Sequence, residues 1–163
     1  MTRPILDNLS VAAMAAAVST ASAALADDLP QRQGWTPNGI AWQTQGADGT
    51  RFALLEGVRD KPGTAFSYAF FIPAGVWDAP HSHSVTARVF VARGTLRIGY
   101  GASADTSRAV SYPADSYVIV PANAVHYDGA DEDTVIIGTA TGPWSTTYLN
   151  GSKPASAGTP VLQ

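Results

Sequence analysis

The chain contains no cysteine. Disulfides, thiolate metal ligands and a cysteine nucleophile are therefore excluded. Charge is sparse: 14% of residues are Asp, Glu, Lys or Arg, against roughly 25% in an average soluble domain. The formal net charge is -3 and no stretch collects Lys and Arg into a basic stripe, so nucleic acid is not an expected partner. Glutamate is limited to Glu56 and Glu132. No segment after Ala26 carries a helical period of useful length. The Gly-x-Ser-x-Gly elbow, the phosphate-binding glycine loop and the dinucleotide fingerprint are all missing. Histidine is also scarce, with three in 163 residues.

Those three histidines are informative because of where they fall. His81 and His83 lie in Gly75-Val76-Trp77-Asp78-Ala79-Pro80-His81-Ser82-His83, and His126 closes Asp115-Ser116-Tyr117-Val118-Ile119-Val120-Pro121-Ala122-Asn123-Ala124-Val125-His126. Side chains alternate along a strand, so His81 and His83 share a face. Two imidazoles on one face, with a third from a distant strand, can fill three positions on a transition metal and leave others open. Such a site favours Fe, Cu, Ni or Zn over Mg or Ca, which prefer oxygen donors. One transition metal ion held by His81, His83 and His126 is the expected cofactor. The competing reading is three imidazoles that merely hydrogen-bond in a polar pocket.

The two segments resemble the two motifs of the cupin superfamily. The first motif is a Gly, five residues, His-x-His, a Glu four residues on, and a Gly closing a turn. Gly75, His81, His83 and Gly94 match it, while Ala87 stands where the metal-binding Glu belongs. The second is a Gly, five residues, Pro-x-Gly, two residues and His. Pro121 and His126 match, while Asp115 and Asn123 replace the glycines. Arg51–Gly57 upstream, with Gly142-Pro143-Trp144 and Tyr148 downstream, resemble a subgroup of small bacterial cupins with a Gly-Pro-Trp ending. The resemblance implies an all-β cupin fold, a double-stranded β-helix or small jelly-roll barrel, over residues 35–150.

The chain pattern agrees with many short strands. Strand-like runs are Arg51–Leu55, Thr64–Ile72, Arg88–Ala92, Thr95–Tyr100, Ser116–Val120 and Thr134–Thr141. Asp48-Gly49, Lys61-Pro62-Gly63 and Arg93-Gly94 mark turns between them, and Gly99-Tyr100-Gly101 reads as another. Even spacing of this kind indicates a sandwich or closed barrel. Residues 1–26 read as a secretory signal peptide: Arg3, an Ala-rich apolar run, and Ala24-Leu25-Ala26 before Asp27. Residues 27–34 form a polar linker, and residues 151–163 a Ser/Ala/Gly/Pro-rich tail expected to be disordered. The expected location is periplasmic or secreted, with no membrane association after cleavage.

Around the histidines, Ala87 has their parity and should face inward, where its methyl leaves a vacancy for water, dioxygen or a substrate oxygen. The site would then carry no protein negative charge. Asp128 would share the face of His126 if the strand continues, and could act as a partner to the ligands or as a general base. Asp78 belongs near the mouth. Trp77 and Tyr127 could line a substrate pocket, whereas Trp42 and Trp144 read as core. Arg88 should face away from the metal. Similar three-histidine cupins include oxygenases, so the reading favours a metal-dependent enzyme of oxygenase type acting on a small organic molecule, with lyase or isomerase chemistry next. The alternative is a non-catalytic cupin that binds or senses a small ligand such as a sugar. Self-association as a homodimer is left open.

Overall fold

The computed structural model describes residues 33–149 and the backbone of Thr159–Pro160. The expected signal peptide, nearly all of the linker and most of the tail lie outside those residues. Trp35–Gln163 forms one compact unit, and it holds every strand among the described residues. Among the described residues no helix is long and apolar enough to cross a membrane.

In chain order the strands are β1 Thr44–Gln45, β2 Arg51–Gly57, β3 Ala65–Ile72, β4 His81–His83, β5 Ala87–Arg93 and β6 Thr95–Tyr100. A short 3-10 turn at Thr106–Arg108 follows. Then come β7 Val110–Pro113, β8 Tyr117–Val120, β9 His126–Gly129, β10 Thr134–Thr141, β11 Thr146–Tyr148 and β12 Thr159–Pro160. A seven-stranded sheet runs β12-β1-β2-β3-β10-β5-β8, and a five-stranded sheet runs β11-β4-β9-β6-β7. The pairing is antiparallel throughout. From β3 onward the chain crosses repeatedly between sheets, so β10 returns between β3 and β5 while β9 returns between β4 and β6. This is a jelly roll, the all-β fold expected of a cupin.

Alternation builds the core. On β5, Ala87, Val89 and Val91 are buried while Arg88 and Phe90 are exposed. On β8, Val118 and Val120 point in, and Tyr117 and Ile119 point out. These inward rows meet Leu96 and Ile98 of β6 and Ile136 of β10 in one apolar cluster. Burying each such side chain stabilises the fold by about 1.5–3 kcal/mol. The outward direction of Arg88 agrees with its parity.

Two turns explain the departures from the second motif. Asp115 has φ 71° and Asn123 has φ 61°, both in the left-handed region where a glycine is the usual occupant. Asn and Asp tolerate this region better than other side chains. Asp115 thus keeps the turn from β7 into β8, and Asn123 keeps the turn that carries β8 into β9 and delivers His126. One turn assignment needs correction. Gly99 is a strand residue of β6, and a Cβ there would collide with the Tyr127 ring; the bend starts at Gly101.

Candidate metal centre

The histidines meet because β4 and β9 are neighbours. His81 sits directly opposite His126 in the antiparallel register, and His83 follows two residues along β4 on the same face. Ring centroids are 4.3 Å apart for His81 and His126, 4.8 Å for His81 and His83, and 5.0 Å for His83 and His126. His81 is 3% exposed and His126 1%.

Hydrogen bonds set the direction of the lone pairs. His81 Nδ1 lies 2.7 Å from the Ala79 carbonyl, and His126 Nδ1 lies 2.9 Å from the Ala124 carbonyl. A carbonyl can only accept, so both Nδ1 atoms carry the proton and donate it. In the neutral rings Nε2 is therefore left with a free lone pair. Backbone carbonyls commonly hold metal-binding histidines in this way. His83 Nδ1 lies 3.2 Å from Thr146 Oγ1, which also accepts from Trp144 Nε1 at 3.1 Å. One ligand atom from each ring falls within 4.8 Å of the others. Two nitrogens on one ion can be separated by at most about 4.2 Å, twice a zinc–nitrogen bond. That limit holds for ligands on opposite sides of an ion; in a tetrahedral site the nitrogens lie about 3.4 Å apart, so binding would draw the rings closer together. By donor type, orientation and spacing, the three histidines form a group that could hold a metal ion.

Electrostatics favour the neutral form of His83 and His126. Burial pushes His83 down to about 3, helped by the neighbouring His81 and His126 rings and by Arg59. Burial also lowers His126, against an opposing pull from Asp128. Burial raises the Asp128 carboxyl, while His81 and His126 draw it back.

Asp128 brings a carboxyl group beside the triad. The strand does continue through Gly129, so Asp128 shares the His126 face. Its Oδ2 lies 3.6 Å from His126 Nε2 and 3.8 Å from His81 Nε2. Asp78 is placed differently: its Oδ2 accepts from Tyr148 Oη at 2.8 Å and lies 3.7 Å from His81 Nδ1, on the far side of the ring.

The triad opens into a cavity of about 740 Å³, and Ala87, Asp78 and Asp128 line it. Trp77 and Tyr127 do not belong to that lining. Tyr127 has opposite parity to His126, is 2% exposed, and donates its hydroxyl to the Asp105 carbonyl at 2.6 Å. Trp77 packs beside it, with the Arg97 guanidinium 5.1 Å from its ring. Both are packing residues. Trp144 shifts the other way: it packs on core residues but also lines the cavity, with its ring 4.2 Å from that of His83. Trp42 packs against the second apolar cluster, as expected of core.

Several lining residues escaped the sequence reading: Thr146, Tyr148, Phe66, Tyr68 and Arg59. Thr146 and Tyr148 stand opposite His83 and His81 across the β4–β11 ladder. They recur with Trp144 every second residue, a spacing too short to fix a strand period without the structure. Arg59 carried no signal; it lies beyond β2, and its guanidinium stacks 5.8 Å from both the Phe52 and Trp144 rings.

Residues 30–145 match the ChrR cupin-like domain family. No curated protein matches the chain. Among solved structures, a cupin-like protein from Thermotoga maritima is similar at 21% identity, covering 67% of this chain and 87% of that one, with a TM-score of 0.53. A candidate acetylacetone dioxygenase from Methylibium petroleiphilum is similar at 20% identity, covering 80% and 91%, with a TM-score of 0.55. A salicylate 1,2-dioxygenase variant from Pseudoaminobacter salicylatoxidans is similar at 12% identity, covering 65% of this chain and 32% of that one, with a TM-score of 0.53. At these identities the likeness is one of fold.

Proposed function

Since this chain belongs to the ChrR cupin-like family, we propose that it is a transition-metal-dependent enzyme of oxygenase type acting on a small organic molecule. The observation that carries this reading is the convergence of His81, His83 and His126 at a cavity large enough for such a substrate. A transition metal held there would supply Lewis acidity and, if redox-active, electron exchange with dioxygen.

The chain's own residues supply the rest. Ala79 and Ala124 carbonyls fix the rings of His81 and His126. Phe66, Tyr68, Phe70 and Ile72 give the cavity an apolar wall that excludes water from a substrate. Arg59 adds a cation beside that wall, which suits a substrate with a compact apolar body and an anionic or enolate-like oxygen. Ala87 lines the same cavity, and its methyl takes little of it. A dioxygenase reaction places both atoms of dioxygen in the organic product, so it needs no separate reductant. Two of the similar structures carry dioxygenase names, and their named compounds supply the first probes: a β-diketone and a hydroxylated aromatic acid.

The test is metal analysis followed by oxygen uptake. Protein loaded in turn with Fe, Cu, Ni and Zn would be supplied with acetylacetone and with salicylate. Uptake that needs both metal and probe supports the reading. Binding of a probe with no turnover under any metal would instead support the second reading, a non-catalytic cupin that binds or senses a small ligand. The observation favouring that second reading is the methyl of Ala87 at the motif carboxylate position.

We further propose that the protein is exported and that the mature chain starts at Asp27. The support is the Ala-rich run and Ala24-Leu25-Ala26. Mass spectrometry of periplasmic protein should then find Asp27 first, and an intact Met1 or Thr2 terminus would contradict it.

A further inference from the structure

The metal reading leaves one carboxylate without a role. The first motif places its acid at the position of Ala87, which offers only a methyl. Asp128 reaches the same centre from another strand. It follows His126 by two residues on β9, so both side chains leave the same face.

The distances define what it can do there. Asp128 Oδ2 is 3.6 Å from His126 Nε2 and 3.8 Å from His81 Nε2. Both exceed the 2.7–3.2 Å of an N–H···O bond, approximately the accepted range. Asp128 is therefore not the group that orients these rings. That work is done at Nδ1 by the carbonyls of Ala79 and Ala124. A carboxylate that orients a metal-binding histidine contacts the nitrogen away from the metal. Asp128 is instead on the Nε2 side, where the lone pairs point. Two donors held by one ion, each about 2.0–2.2 Å from it, can lie up to about 4.2 Å apart. Both separations fall under that bound; the compact group itself is the three histidines, so ligation would also draw the Asp128 carboxylate toward His83. The other nearby acid does not compete, because Asp78 is engaged by Tyr148 and faces Nδ1 of His81.

We infer that Asp128 is the fourth protein ligand of the metal, replacing from β9 the carboxylate that Ala87 cannot provide. The inference rests on the three-histidine metal reading. It changes the chemistry of the site. Three neutral imidazoles become three imidazoles and one anion, which offsets part of a divalent charge and favours divalent ions over Cu(I). It also removes Asp128 as a free general base whenever the metal is bound.

The experiment is a competition titration of Zn²⁺ and Co²⁺ with the full-length wild type, Asp128→Asn, and Ala87→Glu combined with Asp128→Asn. Asp128→Asn should weaken divalent binding by at least about tenfold and should shift the visible absorption of the cobalt form, because an anionic oxygen donor becomes a weaker neutral amide. Adding Ala87→Glu to that variant should recover affinity, since it restores a carboxylate at the motif position. Unchanged affinity in Asp128→Asn overturns the inference alone. Weakened affinity with an unchanged cobalt spectrum also overturns it, because Asp128 would then act only through its neighbours. A wild type that binds neither ion overturns the metal reading itself. If Asp128→Asn fails to fold, a crystal structure of the zinc-loaded wild type decides. An Asp128 oxygen about 2.0–2.2 Å from the ion supports the inference, and one beyond about 3 Å contradicts it.

Discussion

Asn123 and Asp115 show how a motif can lose its glycines and keep its geometry. Each holds a left-handed backbone that most side chains resist. Asn123→Val should therefore destabilise the protein by about 1–2 kcal/mol, whereas Asn123→Gly should cost nothing. Chemical denaturation of the pair measures the difference, and equal stability would contradict the backbone argument. His83 gives a second residue-level outcome. Burial and its two neighbouring imidazoles hold it at about 3, against 6.5 in the unfolded chain. Between those values the unfolded chain takes up a proton that the folded chain does not. Metal-free protein should thus lose stability as pH falls from 6.5 toward 3, and His83→Gln should flatten that slope. Denaturation midpoints across this range measure it, and equal slopes in the two proteins would contradict it. The histidine triad was legible because spacing and parity suffice to place it. Asp128 was only half legible: its parity was visible, but its reach to two Nε2 atoms depends on how β4 and β9 pair.

The element that organises the centre is β9. Its even residues, His126 and Asp128, face the cavity, and its odd residues, Tyr127 and Gly129, pack on the other side. The opposite placement of Tyr127, expected to line the pocket, follows from its odd position on β9. Tyr127→Phe removes a buried hydrogen bond to the Asp105 carbonyl. It should cost about 0.5–1.5 kcal/mol of stability and leave metal affinity unchanged. Altered metal binding in this variant, read by the same titration as above, would mean that β9 does not separate the two roles. The long strands β2, β3, β5, β6 and β10 were readable because β-prone runs of six to eight residues are bounded by turn residues. The three-residue β4 was placed by its two histidines, whereas β11 was not readable, since so short a run fits any period. Thr146 and Tyr148 stayed hidden for that reason, although their pairing with His83 and His81 completes the wall of the site.

At the scale of the whole molecule, two antiparallel sheets hold an apolar core at Val89, Val91, Leu96 and Val118, and the same inward faces continue to the triad. The architecture was accessible from turn spacing and motif residues together. The shape of the cavity was not, because it draws on residues as distant as Arg59 and Trp144. The central claim is that this inward face holds one metal ion. Elemental analysis tests it most directly, on wild type and a His81→Ala, His83→Ala, His126→Ala triple variant, each expressed with Fe, Cu, Ni and Zn supplied. The account predicts about one ion per wild-type chain and none in the folded variant. A metal-free wild type under every supply, or equal metal in the two proteins, would contradict it.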